Sequence, residues 1–236
     1  MKSDLRVAIH QPNFLPWMGY FQKILQCDVF VILDDVDIPK KGGSWFNRVQ
    51  VLIGGRPQWI SVPIQRGSGP QRLNETKTSN QQWRTEIAGT IQMAYSRASN
   101  YKETMDLIEK IFAHETEFLS EWNINSIQQI LTHLDVLCPE IVLSSDVKLE
   151  TKATERLRDL ISAVGGTTYL CGNGSSGYLN ESVLRDAGIG IEYQKFNLKR
   201  YPQLNTSEFE PGLSVIDALM IMGKEETISM VEDFSK

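Results

Sequence analysis

Short apolar runs alternate with helical patterns along most of the chain. Residues 6–10 and 28–33 form largely apolar runs of strand length, and between them apolar side chains recur at helical spacing over residues 17–26. The second run contains Val, Phe and Ile without polar alternation, which is typical of a strand covered on both faces in a parallel sheet. Pro12 and Pro16 exclude a helix before the second proline. The chain therefore opens with a strand–loop–helix–strand unit, as many nucleotide-binding α/β folds do.

The same alternation returns after a helical middle section. The pattern predicts these further elements, in chain order: strands at 45–53 and 58–64, helices at 81–95, 101–113 and 116–134, a strand at 141–143, a helix at 151–164, a strand at 167–171, a helix at 180–187, a strand at 189–196, and helices at 214–222 and 225–234. Strands that alternate with helices in this way predict a largely parallel sheet. We therefore expect a single α/β domain over residues 1–236, with a mostly parallel, Rossmann-like sheet and a helical insertion at about 80–135. The pattern leaves the strand order open.

Composition and charge narrow the class of protein. The 236 residues are 41% hydrophobic and 22% charged, as in ordinary globular domains. No stretch approaches the roughly 18 apolar residues of a membrane span. The formal net charge is −5, and because nucleic-acid-binding proteins usually carry a basic excess, we expect no nucleic-acid partner. The first residues lack the apolar segment of a signal peptide, and the three cysteines have no metal-binding or redox spacing, which together predict a cytoplasmic protein with reduced thiols.

Polar or glycine residues follow the predicted parallel strands at the same end of each strand. In open α/β sheets, ligands bind beyond the carboxyl ends of the strands, so this edge is the expected site. The residues at these strand ends are His10 and Gln11, Asp34 and Asp35, residues 144–146, Gly172 and Asn173, and Gln194.

His10 is the candidate with the most useful chemistry. An unperturbed imidazole titrates near neutral pH, so it can move protons under physiological conditions. Asp34 or Asp35, on the neighbouring strand, could orient the ring as the second member of a base–orienter pair. Alternatively, His10 bonds the backbone of the 11–16 loop, and the two aspartates cap turns or hold Mg²⁺.

Other candidates lie near these strand ends. Arg48, beside Asn47, could hold a phosphate or carboxylate through two parallel hydrogen bonds, whereas Lys40 and Lys41 are expected on a solvated loop. The glycine-rich turn at 172–177 either cradles an anion with its backbone N–H groups or is a tight turn of permissive glycines. Trp17, beside the His10 loop, is the expected ligand platform. For the remaining residues we expect Trp59, Trp83 and Trp122 in the core and Ser214 as a helix N-cap.

Several segments resemble one protein family. The opening motif runs His-Gln-Pro-x-Phe-Leu-Pro-Trp-x-Gly-Tyr-Phe-x-Lys over residues 10–23. Further matching segments lie at 28–36, 45–48, 169–179 and 194–223. Together they cover nearly the whole chain, and with them the sequence resembles the WbqC-like family.

The resemblance implies a function in bacterial surface polysaccharides. Members of this family lie among O-antigen genes, and one proposed activity is the transfer of glycine or another amino acid onto a deoxyamino sugar. The implied protein is an aminoacyl- or acyltransferase that acts on a nucleotide-linked deoxyamino sugar. Its acyl donor could be acyl-coenzyme A or a carrier-protein thioester, with an acyl carrier protein as a possible partner.

Motifs and strand ends together define the candidate residues. We expect His10, Asp34 and Asp35 to be catalytic. The expected substrate-binding residues are Gln11, Trp17, Tyr20, Asn47, Arg48, Gly172, Asn173, Gln194, Tyr201, Gln203 and Asp217.

Two alternatives stay open. The segment 17–20 after a proline-containing loop is similar to the helix start of nucleotidylyltransferases and pantothenate synthetases, but both histidines of their His-x-Gly-His motif are missing. Such an enzyme would use a nucleoside triphosphate and Mg²⁺, with Asp34 and Asp35 around the metal and Lys40 or Lys41 on the phosphates. The other alternative is a non-catalytic protein that binds a sugar nucleotide.

Overall fold

The computed structural model describes residues 4–172 and 179–233. The strands are β1 Arg6–His10, β2 Val29–Ile32, β3 Arg48–Ile53, β4 Arg56–Ser61, β5 Glu140–Leu143, β6 Thr168–Cys171 and β7 Gly190–Tyr193. The helices are α1 Met18–Leu25, α2 Trp83–Tyr95, α3 Tyr101–Phe112, α4 Leu119–Leu134, α5 Ser144–Val147, α6 Ala153–Ala163, α7 Glu181–Asp186, α8 Val215–Met222 and α9 Lys224–Val231, with a 3₁₀ turn at Leu73–Glu75.

The main sheet has five parallel strands in the order β5-β2-β1-β6-β7. This confirms the predicted α/β class and the mostly parallel, Rossmann-like sheet. Strands β2 and β5, which follow β1 in the chain, lie on one side of it. Strands β6 and β7, which come later, lie on the other side. The strand order therefore reverses between β1 and β6, and such a switch point leaves a crevice beyond the carboxyl ends of the two strands.

Both faces of this sheet are covered. Ala8, Phe30 and Ile32 face the larger hydrophobic core, whereas Val7 and Val31 face a smaller core built with side chains of α6 and α7. All four residues of β2 are buried, which explains why its sequence is apolar without alternation.

The helical middle section packs into the larger core. Trp83 of α2 and Trp122 of α4 are buried, with their ring centroids 5.0 Å apart, and Phe14 of the first loop lies 5.3 Å from Trp122. The structure thus confirms the predicted helices over this section and the core positions of both tryptophans. Within the described residues, no helix combines the length and the apolar character that crossing a bilayer requires.

Strands β3 and β4 form a separate antiparallel hairpin that the sequence placed only approximately. Its turn uses Gly54 and Gly55 with φ of 60° and 78°. A Cβ on Gly55 would lie 2.0 Å from the carbonyl oxygen of Asn205, so only glycine allows the closing segment to approach the hairpin. Residues 144–146, expected as the polar end of the preceding strand, belong to the short helix α5 directly after β5.

The closing helices are fixed by buried polar groups. Ser214 caps α8 as predicted, because its Oγ accepts from the amide of Ile216 at 3.3 Å and donates to the carbonyl of Leu15 at 2.8 Å. One helical turn on, the carboxylate of Asp217 accepts from the hydroxyls of Tyr95 at 2.8 Å and Tyr201 at 2.7 Å. Asp217 is fully buried, and burial raises its pKa despite these hydrogen bonds.

We predict that Asp217→Ala destabilises the fold strongly. The change leaves the Tyr95 and Tyr201 hydroxyls without their acceptor in the core, which should lower the free energy of unfolding by roughly 2–4 kcal/mol. Urea denaturation measures this change. Asp186→Ala, an exposed aspartate of α7, is the control, and equal effects of the two variants would contradict the prediction.

Candidate functional site at the switch point

A pocket of about 690 Å³ lies at the carboxyl ends of β1 and β6, where the strand order reverses. We call it the switch-point pocket. Its volume is within the roughly 300–1,000 Å³ of small-molecule sites. Six of the predicted site residues line it: His10, Gln11, Trp17, Tyr20, Gly172 and Gln194. Asn173, also predicted, lies outside the described residues.

His10 ends β1 and is held by its own loop. Its Nδ1 lies 3.1 Å from the backbone carbonyl of Gln11. A carbonyl oxygen can only accept, so Nδ1 carries the proton and Nε2 keeps its lone pair. The Tyr20 hydroxyl donates to the same carbonyl at 3.0 Å, and the Tyr20 ring packs edge-on against the imidazole at 4.9 Å. The loop and α1 therefore fix both the tautomer and the orientation of the ring.

The environment keeps this imidazole neutral. Burial, and then the nearby ammonium of Lys23, lower the pKa of His10 to about 3. The hydrogen bond to Gln11 opposes this shift only in part. At physiological pH the free protein thus holds a neutral His10, whose Nε2 can accept a proton or a hydrogen bond from a ligand.

Lys23 of α1 is a site residue that the strand-end argument missed. It lines the pocket, is only 3% exposed, and donates from Nζ to the carbonyl of Ile9 at 3.0 Å. Burial lowers its pKa to about 8. No carboxylate among the described residues pairs with it, and no other charged side chain among them lines the pocket. The pocket therefore carries positive charge near neutral pH and favours an anionic group of a ligand.

An aromatic wall, which we define as Trp17, Trp45 and Trp59, leads out of the pocket. Neighbouring ring centroids along it are 5.3 Å apart, and Trp17 lies 5.9 Å from His10. Trp45 is 40% and Trp59 43% exposed, so the prediction that Trp59 lies in the core was wrong. The guanidinium of Arg48 sits 4.4 Å above the Trp59 ring. Arg48 thus does not line the pocket itself but lies at the outer end of the wall.

Gln194 and Gly19 hold the rim of the pocket together. Gln194 donates from Nε2 to the Gly19 carbonyl at 2.7 Å and to Oε1 of Gln22 at 3.1 Å, which ties the end of β7 to α1. A Cβ on Gly19 would lie 2.7 Å from the Phe196 ring and 2.8 Å from Nε1 of Trp17. Because Gly19 has no side chain, the side chains of Trp17 and Phe196 can pack directly against α1.

The two aspartates take structural positions. Asp34 accepts from the backbone amide of Ser145 at 3.0 Å and from its hydroxyl at 2.7 Å, so it binds the first turn of α5. Asp35 pairs with Arg156 of α6 at 2.5 Å. The Ser144 hydroxyl lies 3.0 Å from Asp34 Oδ1 and 2.5 Å from Asp35 Oδ1.

The expected pairing of His10 with Asp34 or Asp35 is therefore not formed. The Gln11 carbonyl takes the position at Nδ1 that the prediction gave to a carboxylate. The reason is tertiary: helix α5, which begins where β5 ends, and Arg156 of α6 supply hydrogen-bond donors to both aspartates.

The structure does not bring the remaining predicted residues into the pocket. Asn47 accepts from the Ser44 amide at 3.0 Å and donates to the Val62 carbonyl at 3.2 Å, which holds the turn before β3. Gln203 lies 3.4 Å from the Asp217 carboxylate, beside Tyr201. These polar groups stabilise the fold, although sequence motifs alone had suggested substrate contacts for them.

Comparison with known proteins gives a consistent relationship. The model of the WbqC-like protein family matches residues 11–229. The uncharacterized protein Rv1507c of Mycobacterium tuberculosis (strain ATCC 25618 / H37Rv) is 31% identical over 223 residues, which cover 93% of this chain and 95% of the relative. No solved structure matches the chain significantly. The family match spans nearly all of the chain, including the opening motif from Gln11 onward, and the chain therefore belongs to the WbqC-like protein family.

Proposed function

We propose that this protein is an acyl- or aminoacyltransferase that modifies the amino group of a nucleotide-linked deoxyamino sugar in bacterial surface-polysaccharide biosynthesis. One observation carries the proposal. A buried lysine without a carboxylate partner and a neutral, oriented histidine line the same pocket at the switch point of the sheet. Acyl transfer onto the amino group of a phosphate-linked sugar needs a cation that binds the phosphate and a base that accepts the amine proton.

Lys23 would hold the diphosphate of the sugar nucleotide. A buried ammonium in a pocket without other charges attracts an anion strongly, because the low local dielectric does not screen it. The aromatic wall would then carry the planar base, since exposed tryptophan faces stack on flat rings. Arg48 at the end of the wall adds a second positive charge along the same path.

His10 would act as the general base. The sugar amine attacks the acyl carbon of a thioester donor, the C–N bond forms, the C–S bond breaks, and Nε2 of His10 passes the amine proton to the leaving sulphur. In the free protein the ring is a weak base, because burial and Lys23 disfavour its charged form. The negative charge of a bound diphosphate offsets Lys23 and raises the His10 pKa towards the range in which a base is effective.

The nucleotidylyltransferase alternative receives less support. It needs Asp34 and Asp35 around Mg²⁺, but both carboxylates already accept hydrogen bonds from protein donors. Lys40 and Lys41, its expected phosphate ligands, are exposed on their loop and do not line the switch-point pocket. A non-catalytic sugar-nucleotide-binding protein would use the same pocket and would differ only in showing no turnover.

We predict that Lys23→Met removes the affinity for anions while stabilising the fold. Because the folded pKa of about 8 is below the unfolded value of 10.5, the buried ammonium lowers the free energy of unfolding at neutral pH, and this penalty disappears as the pH rises from 8 to 10.5. Replacing Lys23 by methionine should therefore raise the free energy of unfolding by on the order of 2 kcal/mol at pH 7. Thermal unfolding with and without uridine and thymidine diphosphates measures both effects.

Lys102→Met, an exposed lysine of α3, is the matched control and should change neither quantity. If Lys23→Met destabilised the fold and kept the diphosphate-induced shift, Lys23 would be a structural lysine and the anion site would lie elsewhere.

A second prediction concerns pH. The ammonium of Lys23 binds anions and the neutral amine does not, so nucleoside diphosphate affinity should fall by about tenfold per pH unit once the pH exceeds the Lys23 pKa of about 8. Bound anion raises that pKa, so the affinity keeps falling until the pH reaches the higher Lys23 pKa of the complex. Calorimetric titrations at pH 7, 8, 9 and 10 test this, and a constant affinity over that range would contradict it.

A third prediction separates binding from turnover. His10→Gln keeps the size and polarity of the side chain but removes the base, so it should lower the transfer rate by roughly 10²–10⁴-fold. Diphosphate affinity should change by only a few fold. The assay follows amide formation by mass spectrometry on a nucleotide-linked deoxyamino sugar, with acetyl- and glycyl-coenzyme A as donors. His133→Gln on α4 is the control, and undiminished turnover in His10→Gln would refute the base assignment.

A further inference from the structure

A group of basic side chains lies at the outer end of the aromatic wall. The cationic cluster, as we call it, consists of four side chains from two loops and the start of β3: Lys40, Lys41, Arg48 and Arg66. A Cβ on Gly43 would lie 2.7 Å from Cδ of Arg48, so the loop at 39–43 packs directly on that side chain. The Arg48 guanidinium in turn lies 4.4 Å above the Trp59 ring. The cationic cluster therefore adjoins the wall that leads out of the switch-point pocket.

Arg66 holds the loop that carries the two lysines. Its guanidinium donates to the carbonyls of Pro39 and Gly42, both at 2.6 Å. Lys40 and Lys41 lie between these two carbonyls in the sequence, and both lysines are exposed. The loop is thus fixed on either side of the lysines, and it presents them to solvent beside an arginine.

The charges of the cationic cluster are not neutralised within the described part of the chain. None of its four members forms an ion pair with a carboxylate of the described residues. Asp37 lines a groove of about 280 Å³ together with Lys40 and Arg66, but it pairs with neither. The chain as a whole has a net charge of −5, so this local positive charge is not part of a general basic excess. Like charges gathered in one place repel one another, and an anionic ligand offsets that repulsion.

The combination of exposed tryptophan and exposed cations selects a nucleotide with more than one phosphate group. Trp59 is 43% exposed, and a planar base can stack on its indole or on the guanidinium that lies over it. Lysine and arginine side chains pair with phosphate oxygens. A neutral sugar would leave the cations unused, and an acidic protein surface would leave the ring unused.

We propose that the cationic cluster and Trp59 bind the nucleotide end of coenzyme A, the 3′-phosphorylated adenosine diphosphate. The adenine stacks on the Trp59–Arg48 pair, and the phosphate groups contact the cluster. The pantetheine arm then extends towards His10, where the acyl group is transferred, and the inner rings of the wall remain for the base of the sugar nucleotide. The identity of the nucleotide as coenzyme A rests on the proposed transferase function, whereas the nucleotide site itself does not.

Calorimetric titration of the full chain with adenosine 3′,5′-bisphosphate tests the proposal. This probe carries the base and the 3′-phosphate of coenzyme A but no thioester, so its binding does not depend on catalysis. It should bind more tightly than adenosine diphosphate, and its affinity should fall as the ionic strength rises, because the cations are exposed. Absence of binding overturns the proposal, and equal affinity for the two nucleotides removes coenzyme A as the ligand.

Two double variants that remove the same charge from different surfaces give a matched comparison. Lys40→Gln with Lys41→Gln should raise the Kd of the bisphosphate by roughly 3- to 10-fold. Lys102→Gln with Lys110→Gln, two exposed lysines of α3, should leave it unchanged. An equal loss of affinity in both double variants would show that only the overall charge matters, which contradicts a site at the cationic cluster.

Trp59→Leu tests the stacking contact. Because a base stacked on an aromatic ring contributes much of the affinity of such sites, the variant should raise the Kd of the bisphosphate by roughly 5- to 100-fold. The side chain is exposed, so the unfolding midpoint should stay unchanged. An unaltered Kd in a folded Trp59→Leu protein would refute the assignment of the base to this ring.

Lys23→Met separates the nucleotide site from the switch-point pocket. It should leave the affinity for adenosine 3′,5′-bisphosphate unchanged, although it removes that for uridine diphosphate. Loss of both would place the bisphosphate in the switch-point pocket and overturn the proposal. Binding of the bisphosphate at the cationic cluster without amide formation from coenzyme A thioesters would uphold the nucleotide site and refute the transferase.

Discussion

The central position of β1 is the constraint on which the rest of the structure depends. It pairs in parallel with β2 on one side and with β6 on the other, and these two neighbours come from segments far apart in the chain. Because the chain leaves β1 towards one edge and later returns to the other, the ends of β1 and β6 stay open. His10 is the last residue of β1 and so stands at this opening, while Gln11 and α1 bend over it. The position of the pocket follows from strand order rather than from any single motif.

Charge sets the switch-point pocket apart from the rest of the core. The switch-point pocket holds a lysine that is costly to bury, together with a histidine that the same environment keeps neutral. An ammonium in this position lowers stability, so its presence is better explained by a ligand than by the fold.

The sequence predicted those features that depend on neighbours along the chain. The apolar run of β2, the helices of the middle section and the cap at Ser214 all follow from local pattern, and the structure has them close to the expected positions. The family model confirms the resemblance to the WbqC-like family. A long sequence motif can be matched without knowledge of the fold. Prediction failed where a side chain's environment decides its role. Trp59 was predicted in the core but is exposed, and Lys23, which no sequence pattern singled out as a site residue, is buried.

What the sequence by itself determined was most of the elements, the parallel sheet and the edge at which a site is expected. Only the tertiary structure decided which polar groups meet there. Ser144 lies 110 residues after Asp34, yet its hydroxyl and the helix it begins take both aspartates away from His10. Asp217 is likewise paired with Tyr95, 122 residues earlier. Hydrogen bonds act over about 3 Å, and no periodicity along a chain encodes which distant donor will reach a given carboxylate once the strands are ordered.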